Sequence, residues 1–170
     1  MLGACPSCGY VGVDDDRPEP DRVLATPACY AAFGELTGGH TLLARSGYFV
    51  HQVAVDAYQA QHCPRGAQRT LVFSLAGLYL VMEKGRTGRQ VQQVHAELAR
   101  TRHPLPLVEP VDASGAGTVA EALARIPRDG LLTAVQGWAG QVWNAYATSH
   151  AEIERWVAGW PEPVVAASGR

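Results

Sequence analysis

The chain carries four cysteines, Cys5, Cys8, Cys29 and Cys63, and six histidines. Cys5-Pro6-Ser7-Cys8 is a Cys-x-x-Cys turn followed by Gly9. Such a turn offers two thiolates to one tetrahedral metal ion at low entropic cost, and zinc is the ion suited to four nitrogen and sulfur ligands. The same spacing also reads as a redox pair or as inert thiols, although no βαβ pattern of the thioredoxin kind surrounds it. Cys29 is the natural third ligand, since it opens a helix whose dipole favours thiolate over thiol. The fourth is expected to be His62, with Cys63 or His51 as alternatives. His62 and Cys63 end the next helix, which should pack antiparallel and return to Cys29. His51 lies about three turns earlier and is less well placed.

A second set of polar residues sits on that same helix. His51, Val55, Tyr58 and His62 are spaced 4, 3, 4 and share one face. Gln52, Asp56, Gln59 and Cys63 form the adjoining stripe. His51 and His62 are about 16 Å apart along the axis, too far to share a metal. His95 and His150 lie on later helices, and helical bundles build sites from inward side chains on facing helices. His51, Asp56, Tyr58 and His95 are therefore the candidate catalytic residues, a polar pocket suited to acid–base chemistry with or without a second metal. Each histidine is also readable as an ordinary buried or surface residue. His40 and His103, beside Gly or Pro, are expected to face solvent.

The elements that must position these residues are mostly helical. Residues 1–27 hold Asp14-Asp15-Asp16 and then Pro18, Pro20 and Pro27, which suit an irregular arm rather than a helix. Thr26-Pro27 reads as a cap and first helical position for a helix over 28–37, stopped by Gly38-Gly39. Further helices are expected over 47–62, 68–83 and 88–102, the last capped by Thr87. Thr118 and Glu121 have the spacing of a capping box for a short helix to Arg125. One long helix is expected over 130–158, interrupted near Gly137 and Gly140. The fold class is all-α, a four- to five-helix bundle with an irregular zinc-bound N-terminal arm. Residues 1–160 read as one helical domain and 161–170 as a disordered tail.

Composition narrows the function. The 170 residues include 14 basic and 16 acidic, a net charge of −2, which excludes a strongly basic nucleic-acid binder. No apolar run reaches the roughly 18–20 residues of a membrane span. The longest, Thr70 to Met82, is interrupted by Ser74 and Gly77. The N-terminus lacks a basic stretch followed by an apolar one, so no signal peptide is expected and the cytoplasm is the expected location.

The Cys-x-x-Cys-Gly turn, the later cysteine opening a helix, and His51-Gln52-x-x-Val55-Asp56-Ala57-Tyr58-x-x-Gln61-His62 together resemble DUF5946, a bacterial family of unknown function. The stretch from Leu75 to His95, with Glu83-Lys84-Gly85-x-Thr87-Gly88-Arg89-Gln90, is similar to that family too. The resemblance implies that Cys5, Cys8, Cys29, His51, Tyr58, Gln61 and His62 carry the motif. It implies no reaction. A weaker likeness, of architecture only, is to DinB/YfiT-type four-helix metalloproteins, through His51 and the Tyr146-x-x-x-His150 segment.

Two functions compete. One is a small zinc protein with a structural metal and a polar pocket for a small ligand or protein partner. The other is a metalloenzyme or acid–base enzyme using His51, Asp56, Tyr58 and His95. A nucleic-acid role is weaker, because the acidic Asp14-Asp15-Asp16 and Glu19 follow the cysteine turn.

Overall fold

The computed structural model describes residues 2–13, 18–41 and 47–169. The acidic run Asp14-Asp15-Asp16 lies outside them. The chain is mainly α-helical: β1 (Leu2–Ala4) and β2 (Val11–Val13) form a small hairpin, and eight α-helices follow among the described residues. They are α1 (Pro27–Gly34), α2 (Gly47–Gln61), α3 (Gln68–Met82), α4 (Gly88–Arg100), α5 (Val119–Asp129), α6 (Leu131–Ala145), α7 (His150–Ala158) and α8 (Glu162–Ser168).

The middle of the bundle is α2, which packs against α3, α4 and α6. Its small residues Ala54, Ala57 and Ala60 are buried and let neighbours approach closely. α3 is buried along most of its length, from Leu71 to Val81, as expected for a helix apolar all round. Thr87 and Thr118 each close a capping box, with Gln90 and Glu121 returning a side-chain oxygen to the cap backbone.

Buried donors on the bundle strap down the proline-containing connection after α4. Gln61 Nε2 donates to the Ala113 and Gly117 carbonyls at 3.0 and 2.7 Å, and its Oε1 accepts from the Trp138 indole at 3.2 Å. Trp156 donates to the Pro104 carbonyl. The motif residue Gln61 is therefore structural, since it satisfies three buried groups that would otherwise go unpaired.

Several elements differ from the sequence expectation. The arm is not wholly irregular, since its first part is a hairpin with Leu2 opposite Val13. The first helix does not stop at Gly38-Gly39. It widens into a π-helical segment, Glu35–Thr41, with Thr37 and Thr41 hydroxyls donating to the carbonyls of Phe33 and Thr37. The long helix over 130–158 is broken at Tyr146 and Ala147–Ser149 rather than at its glycines. Tyr146 is held by a bond from its hydroxyl to the Ala60 carbonyl, and His150 stacks on Trp143 at 3.7 Å while bonding its carbonyl. These tertiary contacts override a locally helical pattern. In the tail expected to be disordered, Pro161 and Pro163 start α8, which buries Val164 and Ala167 and packs on α4. His103 is half-buried and stacks on Trp156 instead of facing solvent.

Candidate metal centre

The hairpin turn builds half the site. Gly9 N–H donates to the Cys5 carbonyl at 2.9 Å, and Cys5 N–H to the Tyr10 carbonyl at 2.8 Å. Gly9 takes φ 74°, which a side chain would disfavour, and so the chain folds back between β1 and β2. Cys5 and Cys8 are left on the inner side of this turn, 3% and 2% exposed.

The other half comes from two helix ends. Thr26 caps α1 by accepting from Cys29 N–H at 3.3 Å, which holds Cys29 in the first turn. His62 follows directly on α2. Its Nδ1–H donates to the Tyr58 carbonyl at 2.9 Å, leaving Nε2 with a free lone pair. That Nε2 lies 3.4 Å from Cys29 Sγ, and Cys8 Sγ lies 3.7 Å from Cys29 Sγ. The start of α1 thus meets the end of α2.

The ligand atoms of Cys5, Cys8, Cys29 and His62 all lie within 4.8 Å of one another, and Cys29 and His62 are fully buried. A zinc tetrahedron with Zn–S near 2.3 Å has edges of about 3.8 Å between sulfurs and about 3.6 Å between sulfur and nitrogen. The observed 3.7 and 3.4 Å separations fit those edges. The cluster can hold a metal ion.

The arm is bonded to the same corner. Ser7 Oγ donates to the Leu24 carbonyl at 2.6 Å, and Leu24 N–H to the His62 carbonyl at 2.8 Å. Electrostatics within the cluster ask for a cation. Hydrogen bonds from Cys29 and Cys8 pull the Cys5 thiol far below its ordinary range. Cys5 and then Cys8, with burial, push Cys29 far up. Cys8 is pulled down by Cys29, but Cys5 and burial outweigh that and raise it to about 11. Burial and the neighbouring sulfurs thus oppose a second thiolate beside the first. Metal binding must displace the remaining thiol protons, so affinity falls in acid.

Neither alternative fourth ligand enters the cluster. Cys63 Sγ donates to the Pro64 and Ala67 carbonyls, and burial pushes its thiol up. His51 Nδ1 bonds the Thr41 hydroxyl at 2.8 Å, and burial lowers its pKa.

The four candidate catalytic residues fall into three surroundings rather than one pocket. Tyr58 belongs to the cluster: its hydroxyl is 3.6 Å from Cys29 Sγ and its ring stacks on His62 at 4.0 Å. Burial pushes its phenol well up, so the proton stays on. His51 sits against the π-helical segment. Asp56 and His95 form a separate buried pair, Nδ1 to Oδ1 at 3.9 Å. His95 Nε2–H donates to the Phe73 carbonyl, which leaves Nδ1 as an acceptor facing the carboxyl group. That distance would also suit an ion pair, but burial of both groups favours the uncharged forms. It raises Asp56 well above the usual carboxylate range and lowers His95 to about 4. Asp56 Oδ1 accepts from Gln52, while Oδ2 is buried with no hydrogen-bond partner among the described residues, against Gly77, where a Cβ would overlap it.

Sequence reasoning missed Phe33 and Thr41. Phe33 stacks on the far face of Tyr58 at 4.0 Å and with it lines a cavity of about 310 Å³ that also touches Tyr30 and Gln59. The one signal in the sequence was an aromatic residue one turn beyond Cys29. A larger cavity, about 470 Å³ between α5 and α6, lies among Arg125, Trp138 and Gln141, away from all of these residues.

The fold and the site together define a mainly helical protein with a buried Cys₃His cluster that can hold a metal. A family model described as "Family of unknown function (DUF5946)" matches residues 3–147 of 170, and the chain belongs to that family. The match contains the whole cluster and ends before α7. No curated protein and no solved structure matches the chain.

Proposed function

We propose that this is a zinc protein whose metal is structural. The carrying observation is the closed, buried set of Cys5, Cys8, Cys29 and His62, with all ligand atoms within 4.8 Å. Three thiolates and an imidazole are a donor set that suits zinc, and four protein ligands leave no open position for a substrate. The zinc ties a proline-rich arm, which has little core of its own, to the start of α1 and the end of α2. Unpaired thiols support a cytoplasmic setting. No described helix is long and apolar enough to cross a membrane.

Ligand or partner binding is the second part of the proposal. The cavity beside Tyr58, lined by Tyr30, Phe33 and Gln59, suits a small molecule better than the region of His51, Asp56 and His95. An acid–base enzyme would need those groups around one space, and their separate surroundings speak against it.

Elemental analysis of protein purified without chelators tests the metal. About one zinc per chain is expected, with proton release on binding to the metal-free form. A metal-free protein with Cys5 and Cys8 joined in a disulfide would end this reading.

A further inference from the structure

We infer that Tyr58 is the positioning residue of the metal centre, its hydroxyl donating to the Cys29 thiolate while its ring and carbonyl orient the His62 imidazole. This rests on the metal-site proposal above and extends it to how the ligand set is held.

Each sulfur of the cluster needs a donor, because three thiolates and one imidazole around a dication leave a net charge of −1 in a site closed to water. Cys5 receives the Cys8 backbone N–H and Cys8 receives that of Tyr10, both inside the hairpin turn. Cys29 lies on a helix outside that turn. Its donor is the Tyr58 hydroxyl, 3.6 Å away. The phenol is 1% exposed, and a buried hydroxyl without a partner is costly, so this contact satisfies both groups.

The same residue controls His62 twice. The Tyr58 carbonyl accepts from Nδ1, which leaves Nε2 as the ligating atom, and the ring lies on the imidazole with planes 22° apart. Phe33 backs the opposite face, 11° from parallel. The order Phe33, Tyr58, His62 is a clamp of stacked rings that ends on a metal ligand. One side chain thus links α1's ligand to α2's ligand. A phenylalanine at position 58 would keep the stack and lose only the donor.

The test uses cobalt(II) in place of zinc, in full-length protein, with wild type, Tyr58→Phe and Phe33→Leu compared. Losing the donor raises the energy of the sulfur lone pair. The sulfur-to-cobalt charge-transfer band of Tyr58→Phe should therefore move to lower energy, and its metal affinity should fall by about 10- to 100-fold. Phe33→Leu loosens the stack but leaves the hydroxyl, so its band should stay in place. Site-specific 3-fluorotyrosine at position 58, a stronger donor of the same shape, should move the band the other way and covers the case of a Tyr58→Phe protein that fails to fold. An unchanged band and affinity in Tyr58→Phe, or an equal shift in Phe33→Leu, overturns the inference while the metal site stands. A wild-type protein that takes up no cobalt overturns the metal site and this inference together.

Discussion

Cys29→Ser protein is expected to leave purification without bound metal and with a loosened arm. Cys29 is the centre of the cluster: its sulfur is within 3.7 Å of Cys8 Sγ and 3.4 Å of His62 Nε2. Structural zinc commonly contributes on the order of 10 kcal/mol of apparent binding energy, part of it folding energy. Without it, the hairpin keeps its short backbone pairing, the packing of β2 on α1 and the Ser7 bond to the Leu24 carbonyl. Hydrogen exchange should then quicken over residues 2–13 and 18–26. The buried face of α3 packs against α2, away from the arm, and its amides should remain protected. His51→Ala is the matched control, since His51 bonds Thr41 and not the cluster, and it should keep its metal. Full metal content in Cys29→Ser would remove Cys29 from the site.

Gly77→Ala should be the most destabilising single methyl added to the bundle. An alanine usually favours a helix by up to about 1 kcal/mol over glycine. Here the new methyl would overlap Asp56 Oδ2, an atom fixed by burial and by the Gln52 bond to its partner oxygen. Overpacking of this kind costs about 3 kcal/mol, read by denaturant unfolding. The Asp56→Ala, Gly77→Ala double variant removes the overlapping atom. Its loss should be well below the sum of the two single losses. Additive losses would mean that α2 and α3 do not meet at this pair.

Asp56 also predicts a pH dependence. Its folded pKa is raised, so the stability it contributes is complete below the unfolded value, near 4, and is lost as pH rises toward the folded one. Asp56→Asn cannot ionise. Its stability should match wild type near pH 4 and exceed it increasingly up to neutrality. His95 carries the opposite slope, because its lowered pKa makes stability fall as pH drops from about 6.5 toward 4. Both proteins share that slope, so it cancels in the difference. An Asp56→Asn protein less stable than wild type at neutral pH would show that the carboxylate is ionised and paired with His95.

Residue chemistry and local periodicity were enough for the ligand types, the helical class and the two capping boxes at Thr87 and Thr118. Those depend on spacing within a few residues, where dihedral preferences and side-chain reach decide. The helix dipole at Cys29 and the return of α2 toward α1 also follow from chain order, and His62 is the residue brought to the cluster. The role of Tyr58 could not be read that way. Its 4, 3, 4 spacing places it on a face with His51 and His62, but periodicity does not say which neighbour each turn of that face meets. Only the packed structure sets Phe33 on one side of its ring, the His62 imidazole on the other, and Asp56 across from Gly77. The break at Tyr146 and the ordering of α8 have the same origin. Distant partners, the Ala60 carbonyl for Tyr146 and the surface of α4 for Val164 and Ala167, outweigh what the local sequence prefers.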